Sequence, residues 1–154
     1  MMAKRRQIRV IAHNIRSLWN VGSIFRTCDG FGVERLYLTG YTGRPPRKEI
    51  TKTALGADAF VPWEHVDEPM LVIEDLKREG FSIVSLEQAE KSILLSEFSP
   101  LFPLCLILGS EIAGVRDDLL AVSDVVVELP MVGEKESYNV AVAAGIALYG
   151  ITEK

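Results

Sequence analysis

Leu129-Pro130-Met131-Val132-Gly133-Glu134-Lys135-Glu136-Ser137-Tyr138-Asn139-Val140-Ala141-Val142-Ala143-Ala144-Gly145-Ile146 passes from an apolar run through a polar loop into a run of small apolar residues. Just before it, Asp124-Val125-Val126-Val127-Glu128-Leu129 is apolar, β-branched and too short for a helix, so it reads as a buried strand. Pro130 stops that strand, because proline has no N–H for the next rung of a ladder. A polar loop follows. Across residues 140–149 the side chains are small and apolar, which predicts a helix packed closely against another backbone. Ser137 and Asn139 stand at the loop-to-helix junction, where a short polar side chain caps free amides or holds a ligand. Taken alone, Ser137 reads as an ordinary helix cap.

Outward from this stretch, short apolar runs alternate with helical patterns. Strands are expected at 8–12, 35–39, 60–61, 81–86 and 104–108. Residues 13–19 read as a loop, and Asn20 as the cap of a helix ended by Gly30 and Gly32. That helix carries an apolar stripe of Val21, Ile24, Phe25 and Cys28, with Gly22 and Arg26 on a face turned away from it. A short helix is expected near 50–55. A longer one spans 68–79, with Pro69 in its first turn and Gly80 just past its end. The alternation predicts an α/β fold: a largely parallel sheet with helices on both faces.

The chain has 154 residues and a net charge of −4, with nearly half its residues apolar. Length and composition suit one soluble domain over 1–154. The acidic balance argues against nonspecific coating of nucleic acid. Positive charge is nonetheless clustered, at Lys4, Arg5, Arg6 and Arg9 and again at Arg44, Arg47, Lys48 and Lys52. On charge alone each cluster is a solvated surface. Cys28 and Cys105 read as buried free thiols in a reducing cytosol. His13 and His65 lie far apart, so no metal ligand set is visible. No signal peptide and no apolar run of membrane-spanning length is found, so a cytoplasmic protein without membrane contact is expected.

Gly109 and Gly114 bracket a strand exit, where backbone amides can approach a ligand. Val115-Arg116 follows in place of Lys-Ser/Thr, so this is no P-loop. No Gly-x-Gly-x-x-Gly follows the first strand, which removes the dinucleotide fingerprint. If the strands ending near 108 and 129 are neighbours, their exits share the sheet edge at which α/β folds bind small ligands.

Three stretches resemble, in order, the motifs of the SpoU/TrmH family of RNA ribose methyltransferases within the SPOUT superfamily. They are Asn20-Val21-Gly22-Ser23-Ile24-Phe25-Arg26, Leu108-Gly109-Ser110-Glu111-Ile112-Ala113-Gly114, and the opening stretch from Pro130 to Val140. Together the likeness covers residues 8–151. Tyr138 departs from the usual Leu and Ala141 from a frequent Ser. The resemblance implies a carboxyl-terminal trefoil knot, which no periodicity would suggest. It implies S-adenosylmethionine held at Leu108, Gly109, Glu111, Leu129, Met131, Tyr138 and Asn139. It makes Arg26 catalytic, together with Asn20, Glu111, Ser137 and Asn139. On residue chemistry alone, Arg26 is a surface ion-pair partner of Asp29 or Glu34. Glu111 by the same reading caps the helix starting near Val115 or pairs with Arg116.

The expected activity is therefore methyl transfer from S-adenosylmethionine to a ribose 2′-hydroxyl of RNA, tRNA foremost. Arg16, Arg44, Arg47, Lys48 and Lys52 are the candidate RNA contacts. The resemblance further implies a homodimer, in a minimal form lacking the separate RNA-binding extension of many relatives. Alternatives are an rRNA 2′-O-methyltransferase and a catalytically silent RNA- or cofactor-binding module. The intact Arg26, Glu111, Ser137 and Asn139 speak against the silent module. A flavodoxin-like nucleotide binder lacks its phosphate cradle.

Overall fold

Alternate side chains of a strand point to opposite faces, so a strand buried on both sides belongs inside a sheet covered twice. Residues 8–12 meet that condition: Ile8, Val10 and Ala12 join one apolar cluster and Ile11 another. The protein, seen in a computed structural model that describes residues 6–154, is built accordingly. Lys4 and Arg5 of the first basic cluster lie outside the described residues.

The strands are β1 (Ile8–His13), β2 (Arg35–Thr39), β3 (Trp63–Val66), β4 (Ser82–Leu86), β5 (Ile93–Leu94), β6 (Leu104–Leu108) and β7 (Val125–Glu128). They form one sheet in the order β3-β2-β1-β6-β4-β7-β5. Every pairing is parallel. Helices α1 (Leu18–Gly30), α2 (Lys48–Ala54) and α5 (Val140–Thr152) supply the apolar side chains of one face. Helices α3 (Pro69–Arg78) and α4 (Asp117–Val122) supply those of the other. Because all strands run the same way, all their carboxyl ends open at one edge, and this edge positions the site.

Several details differ from the sequence reading. The strand expected at 60–61 lies at 63–66, because residues 57–59 wind into a 3-10 turn that carries the chain past Val61. Ser17, not Asn20, caps α1: its hydroxyl accepts from the Asn20 N–H at 3.2 Å. Asn20 thereby falls in the first turn with its side chain released. Likewise Asn139, not Ser137, caps α5, accepting from the amides of Ala141 and Val142 at 2.9 and 3.3 Å. The strands ending at 108 and 128 are not neighbours, since β4 is inserted between them.

The face of α1 that bears Gly22 is not turned to solvent. A Cβ there would lie 2.3 Å from the carbonyl oxygen of Ile50 and 2.0 Å from Thr53 Oγ1, so α2 sits directly on the glycine backbone. Thr53 Oγ1 also donates to the carbonyl of Trp19 at 2.8 Å, tying α2 to the first turn of α1. Further along, Thr42 Oγ1 donates to the Ala12 carbonyl at 3.0 Å and accepts from the Ile15 amide at 2.9 Å, pinning the loop after β2 to the loop after β1. His13, buried beneath these loops, meets Thr39 Oγ1 through Nδ1 at 2.9 Å. Burial first, and then the charge of Arg116, lowers its pKa and keeps the ring neutral.

The Gly22 contact yields a test. Gly22→Ala is expected to destabilise the protein by about 1–3 kcal/mol through overpacking, read as a lower urea midpoint with unchanged slope. A second change, Thr53→Ala, should fail to restore it, because the Ile50 carbonyl remains in place.

Candidate functional site

At the carboxyl edge the exits of β4, β6 and β7 and the start of α5 surround an open cavity of about 860 Å³. Each exit contributes differently. After β6, residues 109–115 close on themselves: Ser110 and Gly114 exchange backbone hydrogen bonds at 3.1 and 2.9 Å, and Ser110 Oγ accepts from Ile112 and Ala113. A Cβ on Gly109 would meet the Gly114 carbonyl carbon at 2.3 Å, so closure requires glycine. After β4, Glu87 accepts from the Val115 amide at 2.7 Å and holds the base of that loop. Gln88 donates to the Glu136 carbonyl at 3.0 Å, joining the β4 exit to the loop after β7. Tyr138 donates to the Pro130 carbonyl at 3.2 Å and closes the latter loop.

One hydrogen-bond chain connects the three sequence motifs. Because Asn139 Oδ1 is occupied by the α5 amides, its Nδ2 donates, to Asn20 Oδ1 at 3.1 Å. Asn20 Nδ2 then donates to Glu111 Oε2 at 3.1 Å. Glu111 also accepts from the backbone amides of Arg16 and Ser17 at 2.9 and 3.0 Å. The amides at the start of α5 thus fix the direction of Asn139, and Glu111 with Asn139 fixes that of Asn20. Burial would raise the Glu111 pKa; the amides of Arg16 and Ser17 and the Asn20 side chain outweigh it and hold the carboxyl below its ordinary value. Glu111 therefore neither caps the helix after Val115 nor pairs with Arg116. That arginine is engaged by Glu68 at 2.6 Å and Asp118 at 2.5 Å.

The cavity brings together Asn20, Leu108, Gly109, Glu111, Leu129, Ser137, Tyr138 and Asn139 of the expected site. It does not bring in Met131, Arg26 or Arg16. Arg26 is exposed in a separate cleft of about 550 Å³, with Ser23, Thr27, Lys52, Thr53 and Leu55. Among the described residues it pairs with neither Asp29 nor Glu34. Arg16, Arg44, Arg47, Lys48 and Lys52 are all exposed. The sequence reading missed Leu86, Glu87, Gln88 and Ala89, which line the cavity from the β4 exit. Their signal was their place after a strand in a parallel sheet, all of whose exits share one edge.

Residues 7–149 match the model of the SpoU rRNA Methylase family. The chain belongs to the SpoU methylase family. Members are S-adenosylmethionine-dependent RNA 2′-O-methyltransferases. The tRNA (guanosine(18)-2′-O)-methyltransferase of Aquifex aeolicus is 33% identical over 147 residues, spanning 95% of this chain and 69% of the relative. The SpoU methyltransferase AviRb from Streptomyces viridochromogenes, solved with AdoMet, shares the fold with a TM-score of 0.86 at 23% identity, over 96% of this chain and 60% of its own. A structure concerned with 2-OH methylation of C/U34 on tRNA has a TM-score of 0.87 at 22% identity and covers 97% of both chains.

The residues present fit the family's cofactor. The cavity volume falls in the range of small-molecule sites, and its rim carries Glu87, Glu111, Asp117 and Glu128, which suit a ligand bearing a sulfonium and an ammonium. Apolar Leu86, Leu108, Leu129 and Val140 offer surface for a flat base.

Two outcomes test the site. Gly109→Val should weaken S-adenosylmethionine binding by calorimetry on the order of tenfold or more, because the added side chain forces the 109–115 loop open. Glu111→Gln should cost on the order of 1 kcal/mol at neutral pH, low for charge-assisted bonds because the carboxylate faces solvent. Since the folded pKa is depressed, the wild-type advantage is full above the ordinary value of 4.5 and is lost as pH falls through the folded value. Urea midpoints of the two proteins should therefore converge in acid; a constant gap would mean the charge is not what matters.

Proposed function

We propose that the protein transfers a methyl group from S-adenosylmethionine to a ribose 2′-hydroxyl of tRNA, acting in the cytoplasm as a homodimer. The observation that carries this reading is the Asn139–Asn20–Glu111 hydrogen-bond chain, which joins all three family motifs at the cavity mouth. We read residues 1–154 as one SPOUT domain with the last helix threaded as a trefoil knot. The Gln88–Glu136 bond, which ties the loop after β7 to the β4 exit, is compatible with that threading.

The bound cofactor supplies an electrophilic methyl group on a sulfonium. Leu108, Gly109, Leu129, Tyr138 and Asn139 would hold it, and Glu111 keeps the entry and first turn of α1 against the cavity. Asn20 and Ser137 orient the ribose. Arg26 follows Asn20 by six residues, about 9 Å along the helix and about 120° around it, so an RNA strand must run from the cavity along α1 and bend round it to meet both. The guanidinium keeps its proton in a protein and is no base. Its role is to stabilise charge developing on the 2′-oxygen while gripping the adjacent phosphate, with phosphate or solvent taking the proton. Arg16 and the 44–52 segment add phosphate contacts.

An exposed apolar row on α5 supports the homodimer: Val142, Ile146 and Tyr149 are 52%, 38% and 60% exposed at helical spacing. Sedimentation of Ile146→Glu should show a monomer where the natural chain is dimeric. The rRNA named in the family description favours a second reading, that the substrate is ribosomal. Incubation with labelled S-adenosylmethionine and total RNA, followed by nuclease digestion, separates the two. A deoxyribose at the labelled position should abolish transfer, because the nucleophile is missing; transfer that survives would move the methyl group to a base.

Arg26→Lys should lose on the order of a hundredfold or more in rate while retaining cofactor affinity. Lysine keeps the charge but not the two-pronged geometry. Near-normal turnover, or a rate climbing as the new amine deprotonates, would overturn the electrostatic role.

A further inference from the structure

Large aromatic rings are normally buried, and the exposed ones in this chain are unevenly placed. Trp63 packs edge-on against Phe25, with ring centroids 6.4 Å apart at 89°. Trp19 does the opposite: it is 48% exposed, beside Asn20 of the cavity. The hydrogen bond that its residue makes uses the backbone, through the carbonyl that accepts from Thr53. The indole itself meets Lys52, whose Nζ lies 5.8 Å from the ring centroid. On the same side runs segment 44–52, with Arg44, Arg47, Lys48 and Lys52 against one acid, Glu49, in a chain of net charge −4. Tyr41, 61% exposed, precedes it in a loop held to the β1 exit by Thr42.

A half-exposed indole between a catalytic cavity and a basic strip has the chemistry of a nucleobase platform. Stacking needs a flat π-face and a nearby cation for the phosphate, and it accepts any base. We infer that Trp19 stacks on an unpaired base next to the methylated nucleotide, with Lys52 at the accompanying phosphate, so that the substrate is a single-stranded loop of RNA and not a duplex. This rests on the RNA methyltransferase reading above. In a duplex the bases are stacked on each other and cannot reach the ring. Trp19 thus sets substrate choice by position, without reading base edges.

The test uses Trp63→Phe, which leaves Trp19 as the only tryptophan, titrated with unfractionated tRNA, short oligoadenylate and a blunt RNA duplex of equal length. Trp19 emission should be quenched by tRNA and the single strand and not by the duplex. In the natural background, Trp19→Ala should weaken tRNA binding roughly tenfold to a hundredfold, Trp19→Phe should retain part of the affinity, and cofactor affinity by calorimetry should hold for both. Equal quenching by duplex, no quenching, unchanged tRNA binding in Trp19→Ala, or Trp19→Phe as weak as Trp19→Ala overturns the inference. So does emission that shifts with protein concentration without RNA, which assigns the ring to a contact between copies. If the natural protein neither binds nor methylates tRNA, the functional reading falls and the inference with it; methylation without Trp19 quenching removes the inference alone.

Discussion

The cavity depends on a carboxylate that is satisfied without a cation. Glu111 accepts from the backbone amides of Arg16 and Ser17, just ahead of α1, and from the side-chain amide of Asn20. Those backbone N–H groups lie at the entry to α1, beside the amides that a helix leaves without internal partners and its positive dipole end. An acidic side chain from the β6 loop is therefore the natural complement to the start of α1. Once Glu111 is placed, Asn20 has one available orientation, and through it Asn139 and α5 are fixed as well. Three segments far apart in sequence come into register because each polar group has one acceptable partner.

The same economy explains why β4 matters. Its insertion between β6 and β7 puts Glu87 where it holds the base of the 109–115 loop and Gln88 where it meets residue 136. Both loops bordering the cavity thus hang from the exit of one central strand. A cavity walled by loops is soft unless the loops are crosslinked. Here the crosslinks are side chains just past β4 acting on backbone groups, so they do not depend on which side chains the loops carry.

Much of this was legible in the sequence. The alternation of buried runs identified the parallel sheet, and Val21, Ile24, Phe25 and Cys28 are buried as their spacing requires. Three motifs in order identified the family and most of the cavity lining. What was hidden is long-range. Nothing in the local pattern says that Ser17 outcompetes Asn20 as a cap, since both are good cap residues; Glu111, 91 residues from Asn20, decides it by engaging the Asn20 side chain. Strand order was equally hidden, because β6 and β7 carry the same apolar pattern whether or not β4 lies between them. The cover over Gly22 was hidden too, because helical periodicity shows which side chains share a face but not that α2 lies on it.

The treatment of charge separates arginines committed to ion pairs from those left to solvent, among them the one proposed for chemistry. Arg9 is held by Glu34 at 2.5 Å, and Arg116 by Glu68 and Asp118. These pairs orient the side chains and contribute little stability where solvent reaches them. Arg26 has acids nearby in sequence, yet it pairs with none among the described residues. Pairing would add almost nothing to stability at such an exposed site, and it would cancel the field that a phosphate needs to feel. Glu111, the carboxylate nearest the start of the same helix, is saturated with amide donors and has no call on a guanidinium. The arrangement keeps a carboxylate at the entry to α1 and a permanent cation farther along the same helix without neutralising each other, so the guanidinium of Arg26 stays unpaired, as the role proposed for it requires.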